Sequence, residues 1–309
     1  MSSLIPIVLF FILFYTAAIV EAVPLTIYPV STLSDDLQTD QSAKRDALTV
    51  QLALPADFPD PSIIQYNNTA YAFATTNGLN INVQLSSRSS TSTTWSLWSD
   101  WDALPNPGSW TTGAPSSNGW TNRQVWAPNV VQNDSGQFVM YYSASVSFAP
   151  SFHCTGIAIA STIQGPYVPY GSLPVICPLA QGGAIDASGF RDTDGSRYIV
   201  YKVDGNSIGN GGDCGNSIPP IVPTPIMLQR VAGDAMTAVG QPVQILDRDD
   251  SDGPLIEAPA LVRAPGGWYV LFFSSHCYNS VDYDIMYAVA SSITGESSCS
   301  PECAFPVFL

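Results

Sequence analysis

Three carboxylic acids each open a short apolar segment: Asp60 in Asp57-Phe58-Pro59-Asp60-Pro61-Ser62, Asp186 in Ile185-Asp186-Ala187 and Glu257 in Glu257-Ala258-Pro259. A fourth segment opens on an aromatic, Trp126-Ala127-Pro128. Gathered carboxyls beside aromatic rings suit cleavage of a glycosidic bond: one protonates the leaving oxygen, another activates water, and a third tunes the proton donor. Each role takes a carboxyl group and no metal. An unpartnered acid aimed inward costs several kcal/mol or shifts its pKa, so three at corresponding places point to a site. Three solvated strand ends are the plainer alternative. Around Asp60, Pro59 and Pro61 fix φ on both sides and stiffen the backbone that carries it.

These residues need a scaffold that brings distant segments together. After each opening comes a strand, a polar turn, an aromatic strand and a further strand. The first copy runs Ser62 to Gln65, turns at Asn67-Asn68, and continues through Tyr71-Ala72-Phe73 and Ile81, Val83 and Leu85. The second turns at Asn133-Asp134-Ser135-Gly136, the third at Asp194-Gly195 and the fourth at Gly266-Gly267. The openings at 60, 126, 186 and 257 lie about 60 to 71 residues apart. Repeats of four strands at such a period are the signature of propeller blades, whose innermost strands converge on one mouth of a central channel. Helical periodicity is nearly absent, which argues against an α/β fold.

The chain of 309 residues is 46% apolar and 11% charged, enough apolar residue for a large core. Net charge is −15 with ten Lys and Arg and no basic cluster, so nucleic acid and anionic membranes are poor partners. The run Leu4 to Val20, ending at Val20-Glu21-Ala22, reads as a signal peptide over 1–22, with an uncleaved anchor as the alternative. Cleavage there predicts a secreted, extracellular protein with no membrane attachment. Six cysteines, Cys154, Cys177, Cys214, Cys277, Cys299 and Cys303, fit an oxidising compartment and leave fifteen pairings open. The sequons at Asn67 and Asn133 agree with secretion, and both fall on first hairpin turns, which are expected to face solvent.

The motifs DFPDPSII, WAPNV, GAIDASGFRDTDGSRYIVYKVDGN and DSDGPLIEAPALV, in this order and spacing, resemble glycoside hydrolase family 43 over roughly residues 55–295. The resemblance implies an all-β, five-bladed β-propeller with about four blades in this chain. It further implies inverting hydrolysis of arabinofuranosyl, xylosyl or, in some members, galactosyl linkages of arabinose- or xylose-containing polysaccharide. It assigns Asp60 as general base, Glu257 as general acid and Asp186 as the residue that tunes and orients the acid, with Trp126 lining the sugar pocket. Inversion needs base and acid about 6.5–9.5 Å apart, leaving room for water. No cofactor is implied for the chemistry, and a structural cation in the central channel is compatible with it. A non-catalytic carbohydrate-binding propeller is the competing function.

The remaining signals divide. Gly205-Asn206-Ser207-Ile208-Gly209 matches a serine-hydrolase elbow, but glycines and prolines follow where that motif needs a helix. A glycine-rich rim loop is the better account, from which Asp204 and Asn206 reach substrate. Asp247 to Gly253 is acidic but lacks calcium-loop spacing and reads as a solvated loop leading to Glu257. His153 and His276 are too sparse for zinc, and His276, after an aromatic strand, is the better pocket candidate. Trp95, Trp98, Trp101, Trp110 and Trp120 could stack on sugars or fill a β core.

The domain reading is a lead-in over 23–56, a catalytic propeller over 57–295 and an atypical tail over 296–309. A fifth opening is expected at about residues 320–330 by the same period, so the sequence reads as a product truncated before the fifth blade. An unclosed ring would leave two unpaired edges, and a closed four-bladed ring is the alternative.

Overall fold

The computed structural model describes residues 53–54, 56–112 and 124–294. The signal peptide, most of the lead-in, Trp120, Cys299, Cys303 and the tail lie outside the described residues.

The described chain is all-β, with four antiparallel sheets in sequence order. Blade one holds β1 (Ser62–Tyr66), β2 (Thr69–Ala74), β3 (Gln84–Ser89) and β4 (Ser96–Leu97). Blade two holds β5 (Trp126–Gln132), β6 (Phe138–Val146), β7 (Ala149–Ala160) and β8 (Val168–Pro169). Blade three holds β9 (Ala184–Arg191), β10 (Arg197–Val203), β11 (Ile226–Val231) and β12 (Val243–Leu246). Blade four shows β13 (Ile256–Arg263), β14 (Tyr269–Ser275) and β15 (Asp284–Ala290). Inner strand β1 lies beside β5, β5 beside β9 and β9 beside β13, so the blades are arranged as in a propeller.

Turn chemistry sets the hairpins. Asn67 and Asn68 both take φ > 0 (46° and 59°), the conformation a two-residue hairpin requires and Asn tolerates. The expectation of solvent-facing turns holds for the exposed Asn67 and fails for Asn133. Asn133 is only 5% exposed, and its Oδ1 accepts from the amides of Ser135 and Gln137. A turn of blade three packs over it, with the Asp134 amide donating to Gly233 O at 2.9 Å. A glycan on Asn133 would have to displace that turn.

Strand alternation decides what each blade shows its neighbours. On β6, Phe138, Met140, Tyr142 and Ala144 join the core shared with blade one, while Val139 and Tyr141 join the core shared with blade three. On β10, Ile199, Tyr201 and Val203 face blade two, whereas Val200 packs toward blade four. Each fully buried large side chain contributes about 1.5–3 kcal/mol, so these layers hold consecutive blades together.

The tryptophans are core and brace. Trp110 is 3% exposed and stacks on Tyr142, with ring centroids 5.7 Å apart. The Trp98 and Trp101 indoles donate to Ser87 Oγ (3.0 Å) and Gln164 O (2.8 Å). Arg88 lies over the Trp95 ring at 5.6 Å.

Candidate active site

All four inner strands share one irregularity near their start. Trp126 pairs with Ser143 and Asn129 with Tyr141, a slip of one residue that recurs at Ile185/Lys202 and at Glu257/Ser274. In blade one the Thr75 amide donates to Pro59 O at 3.1 Å, just before the ladder that begins at Ser62/Phe73. The bulge puts one residue per blade in the left-handed region: Asp60 (φ 52°), Ala127 (42°), Asp186 (58°) and Ala258 (53°). Left-handed non-glycine residues cost energy and cluster at sites that exploit them.

This corrects the expected equivalence of the four openings. Asp60 and Asp186 occupy the left-handed position, but Glu257 and Trp126 stand one residue earlier. Side chains enter the mouth from two adjacent positions of the same bulge.

Opposite each bulge stands a residue of the blade's second strand, or in blade one the residue just past its end: Thr75, Ser143, Lys202 or Ser274. Thr75 Oγ1 accepts the Ala127 amide of the next blade at 2.9 Å and donates to Asp60 Oδ2. Ser143 Oγ accepts the Asp186 amide at 3.0 Å. In blade three the position holds Lys202, and Asp186 Oδ2 takes the Ala258 amide instead, at 3.0 Å. Ser143 is fully buried, so Ser143→Ala strands a backbone donor at the site. It should cost about 1–3 kcal/mol, read as a lower urea midpoint at unchanged slope.

Lys202 and Tyr283 are the site residues that sequence reasoning missed. Lys202 is 0% exposed; its Nζ lies 3.1 Å from Glu257 Oε2 and 3.3 Å from Asp204 Oδ1. Burial pulls its pKa down, but Glu257, Asp204 and Asp186 together outweigh that and raise it, holding the ammonium charged. Tyr283 donates its hydroxyl to Glu257 Oε1 at 3.0 Å. Glu257 is thus gripped on both oxygens. The Asp186 carboxyl is pushed up to about 7, by burial first and then by the negative charge of Glu257, with Asp60 adding to it. Lys202 and the Ala258 amide oppose that rise. Asp60 and Glu257 therefore both stand within electrostatic reach of Asp186.

The other expected contacts are distributed around these acids. Trp126 is half-buried and stacks on His153, ring centroids 4.0 Å apart and planes at 23°. Burial lowers the His153 pKa, with Asp204 opposing, so the ring is a neutral brace for the indole. Asp204 is 5% exposed and its carboxylate is committed to Lys202, so it is part of the interior of the site and not of its rim. Asn206 donates to Cys214 O at 3.3 Å, with Oδ1 buried and unpartnered. His276 (φ 66°) is half-buried and bonded through Nδ1 to Ser275 Oγ at 2.8 Å. Ser275 uses its proton on Asp284 Oδ1 (2.6 Å), so Nδ1 is the donor to Ser275. Gly183 (φ 99°) lets β9 start against β7: a Cβ there would meet His153 O at 2.1 Å.

The elbow reading fails. Residues Gly205–Ile208 form a single 3-10 turn, and Ser207 donates its hydroxyl to Gly182 O at 2.6 Å. The acidic loop is a capping loop in which Asp249 caps the turn Asp250–Asp252. The disulfide Cys214–Cys277 joins the glycine-rich loop to the segment that follows His276, and Cys154–Cys177 closes the second blade's outer loop. Among the described residues no cluster of three or more His, Cys, Asp or Glu could hold a metal ion.

Comparisons with known proteins agree with this architecture. The chain is 32% identical over 97 residues to an extracellular endo-alpha-(1->5)-L-arabinanase of Thermotoga petrophila, covering 26% of this chain and 20% of that protein. It is 28% identical over 225 residues to a probable arabinan endo-1,5-alpha-L-arabinosidase C of Aspergillus flavus, covering 72% of this chain and 60% of that protein. The chain therefore spans 60% or less of the length of these curated relatives. A GH43 endo-arabinanase structure from Bacillus licheniformis superposes with a TM-score of 0.53 at 26% identity, covering 77% of this chain and 73% of that one. The family model of glycosyl hydrolases family 43 matches residues 53–304, and the chain belongs to that family.

Proposed function

We propose that the protein is a secreted, inverting glycosidase that cleaves arabinofuranosyl linkages, with arabinan as the favoured substrate and xylosyl linkages as the second choice. The observation that carries this is the gathering of Asp60 and Glu257 about Asp186 from the starts of three inner strands, with Asp186 Oδ2 accepting the amide that follows Glu257. In this reading Asp60 activates water, Glu257 protonates the leaving oxygen and Asp186 tunes Glu257. Asp186, bonded to the Ala258 amide, is tied to the strand that carries Glu257. Trp126, braced by His153, offers an aromatic face to the sugar. The three similar proteins named above, all arabinan-cleaving by name, favour arabinose over xylose. Two disulfides support an oxidising compartment.

The test is release of sugar from linear arabinan, xylan and the aryl arabinofuranoside and xyloside, with the product anomer followed by proton NMR. Arabinan cleavage with inverted anomeric configuration is expected. Binding of arabinan without release of any sugar would replace the reading by that of a carbohydrate-binding propeller.

A further inference from the structure

The position opposite the bulge carries a hydroxyl in blades one, two and four, as Thr75, Ser143 and Ser274, and a lysine in blade three. In blades one and two that hydroxyl caps the left-handed amide of the following blade. Asp186 has taken over this cap in blade three, so Lys202 is released from the backbone task. Alternation along β10 points Lys202, like Val200, toward blade four, where Glu257 stands. A fully buried ammonium is retained only where carboxylates balance it, and here two are within 3.3 Å.

We propose that Lys202 is a positioning residue: it aims Glu257 through Oε2 while its charge balances the negative charge that Asp186, Asp204 and Glu257 bring together. This rests on the reading of Glu257 as proton donor. The charged and titratable groups facing this cluster come from every packed element. They are Asp204 beyond the end of β10, Asp186 from β9, Glu257 from β13, Tyr283 from the loop before β15, Asp60 from blade one, and His153 from β7 beside Asp204. Lys202 is the sole cation among them when His153 is neutral. With it, Glu257 is held by both of its oxygens and the negative charge around Asp186 is offset. Without it, Asp186 holds its proton to higher pH, and Glu257 keeps only the Tyr283 contact.

The experiment compares wild type with Lys202→Met and Asp204→Asn in two readouts. One is the 13C-carboxyl NMR titration of Asp186. The other is the pH profile of kcat/KM on aryl arabinofuranoside. Lys202→Met should raise the Asp186 midpoint by about one to two pH units. It should move the basic limb of the profile the same way and lower kcat at least tenfold with KM changed less than threefold. Asp204→Asn, which gives the ammonium wholly to Glu257, should move both readouts the opposite way. This variant keeps the proposal testable if Lys202→Met does not fold. Midpoints and limbs unchanged in the folded variants, with kcat lowered uniformly across pH, would make Lys202 a structural ion and overturn the proposal. If wild type hydrolyses no glycoside, the functional reading fails separately, and the NMR titration still decides what Lys202 does to Asp186.

Discussion

Glu257→Gln is expected to reduce kcat on linear arabinan by about 10³- to 10⁴-fold, the upper end of what a positioned proton donor supplies. The same variant should lose far less on a dinitrophenyl arabinofuranoside, whose leaving group departs as a stable anion without a proton. Asp60→Asn should behave differently, losing about 10²- to 10⁴-fold on both substrates, because water must be activated whichever group leaves. The contrast separates the two roles by chemistry, and measuring both substrates with both variants checks it. Equal losses on the two substrates for Glu257→Gln would remove the proton-donor assignment. Substitution by glutamine preserves the Tyr283 and Lys202 neighbours in shape, so the readout is the proton and not a collapsed site.

The second large effect concerns stability. Asp186 has its folded pKa raised from 3.8 to about 7, by burial first and then by Glu257. A carboxyl raised on folding binds its proton more tightly in the native state, so its contribution is fully present below about pH 4. It is lost as pH rises toward about 7. By linkage this amounts to as much as about 4 kcal/mol. Asp186→Asn, neutral at every pH, should flatten the decline in unfolding free energy between about pH 4 and 7, measured by urea denaturation across that window. It should also lower kcat. A variant whose stability falls across the window as steeply as wild type would show that Asp186 is not the titrating group.

Much of the fold could be read in the sequence because its signals are local. Asn67-Asn68 specifies a tight hairpin by the φ values it accepts, and the continuous apolar run Tyr198-Ile199-Val200-Tyr201 specifies a strand covered on both faces. The acids were legible too, since Asp60, Asp186 and Glu257 open segments whose other positions are apolar. What escaped were the partners across the sheet. Lys202 acts from the second strand of its blade and Thr75 from just past the end of β2, and their register against the inner strand depends on a one-residue slip that no pattern of residue types announces. A trace of Lys202 was present: it is the one charge inside Tyr198-Ile199-Val200-Tyr201-Lys202-Val203. Asn133 was misjudged for a similar reason, because the turn of another blade, over Gly233 and Asp234, covers it. The Asp204 carboxylate likewise turns inward only because Lys202 waits there.

The Cys214–Cys277 bond ties together two segments that are 63 residues apart in sequence and belong to consecutive blades, and that border the sugar site in the proposed reading. Untethered, the two segments would lose conformational freedom on each encounter with a sugar chain. Cross-linked, they are ordered once, when the thiols are oxidised, and stay ordered for every later encounter. The shape of the entrance is therefore a record of the redox history of the molecule. The same polypeptide kept reduced would carry identical carboxyls behind a doorway that each substrate would have to organise for itself.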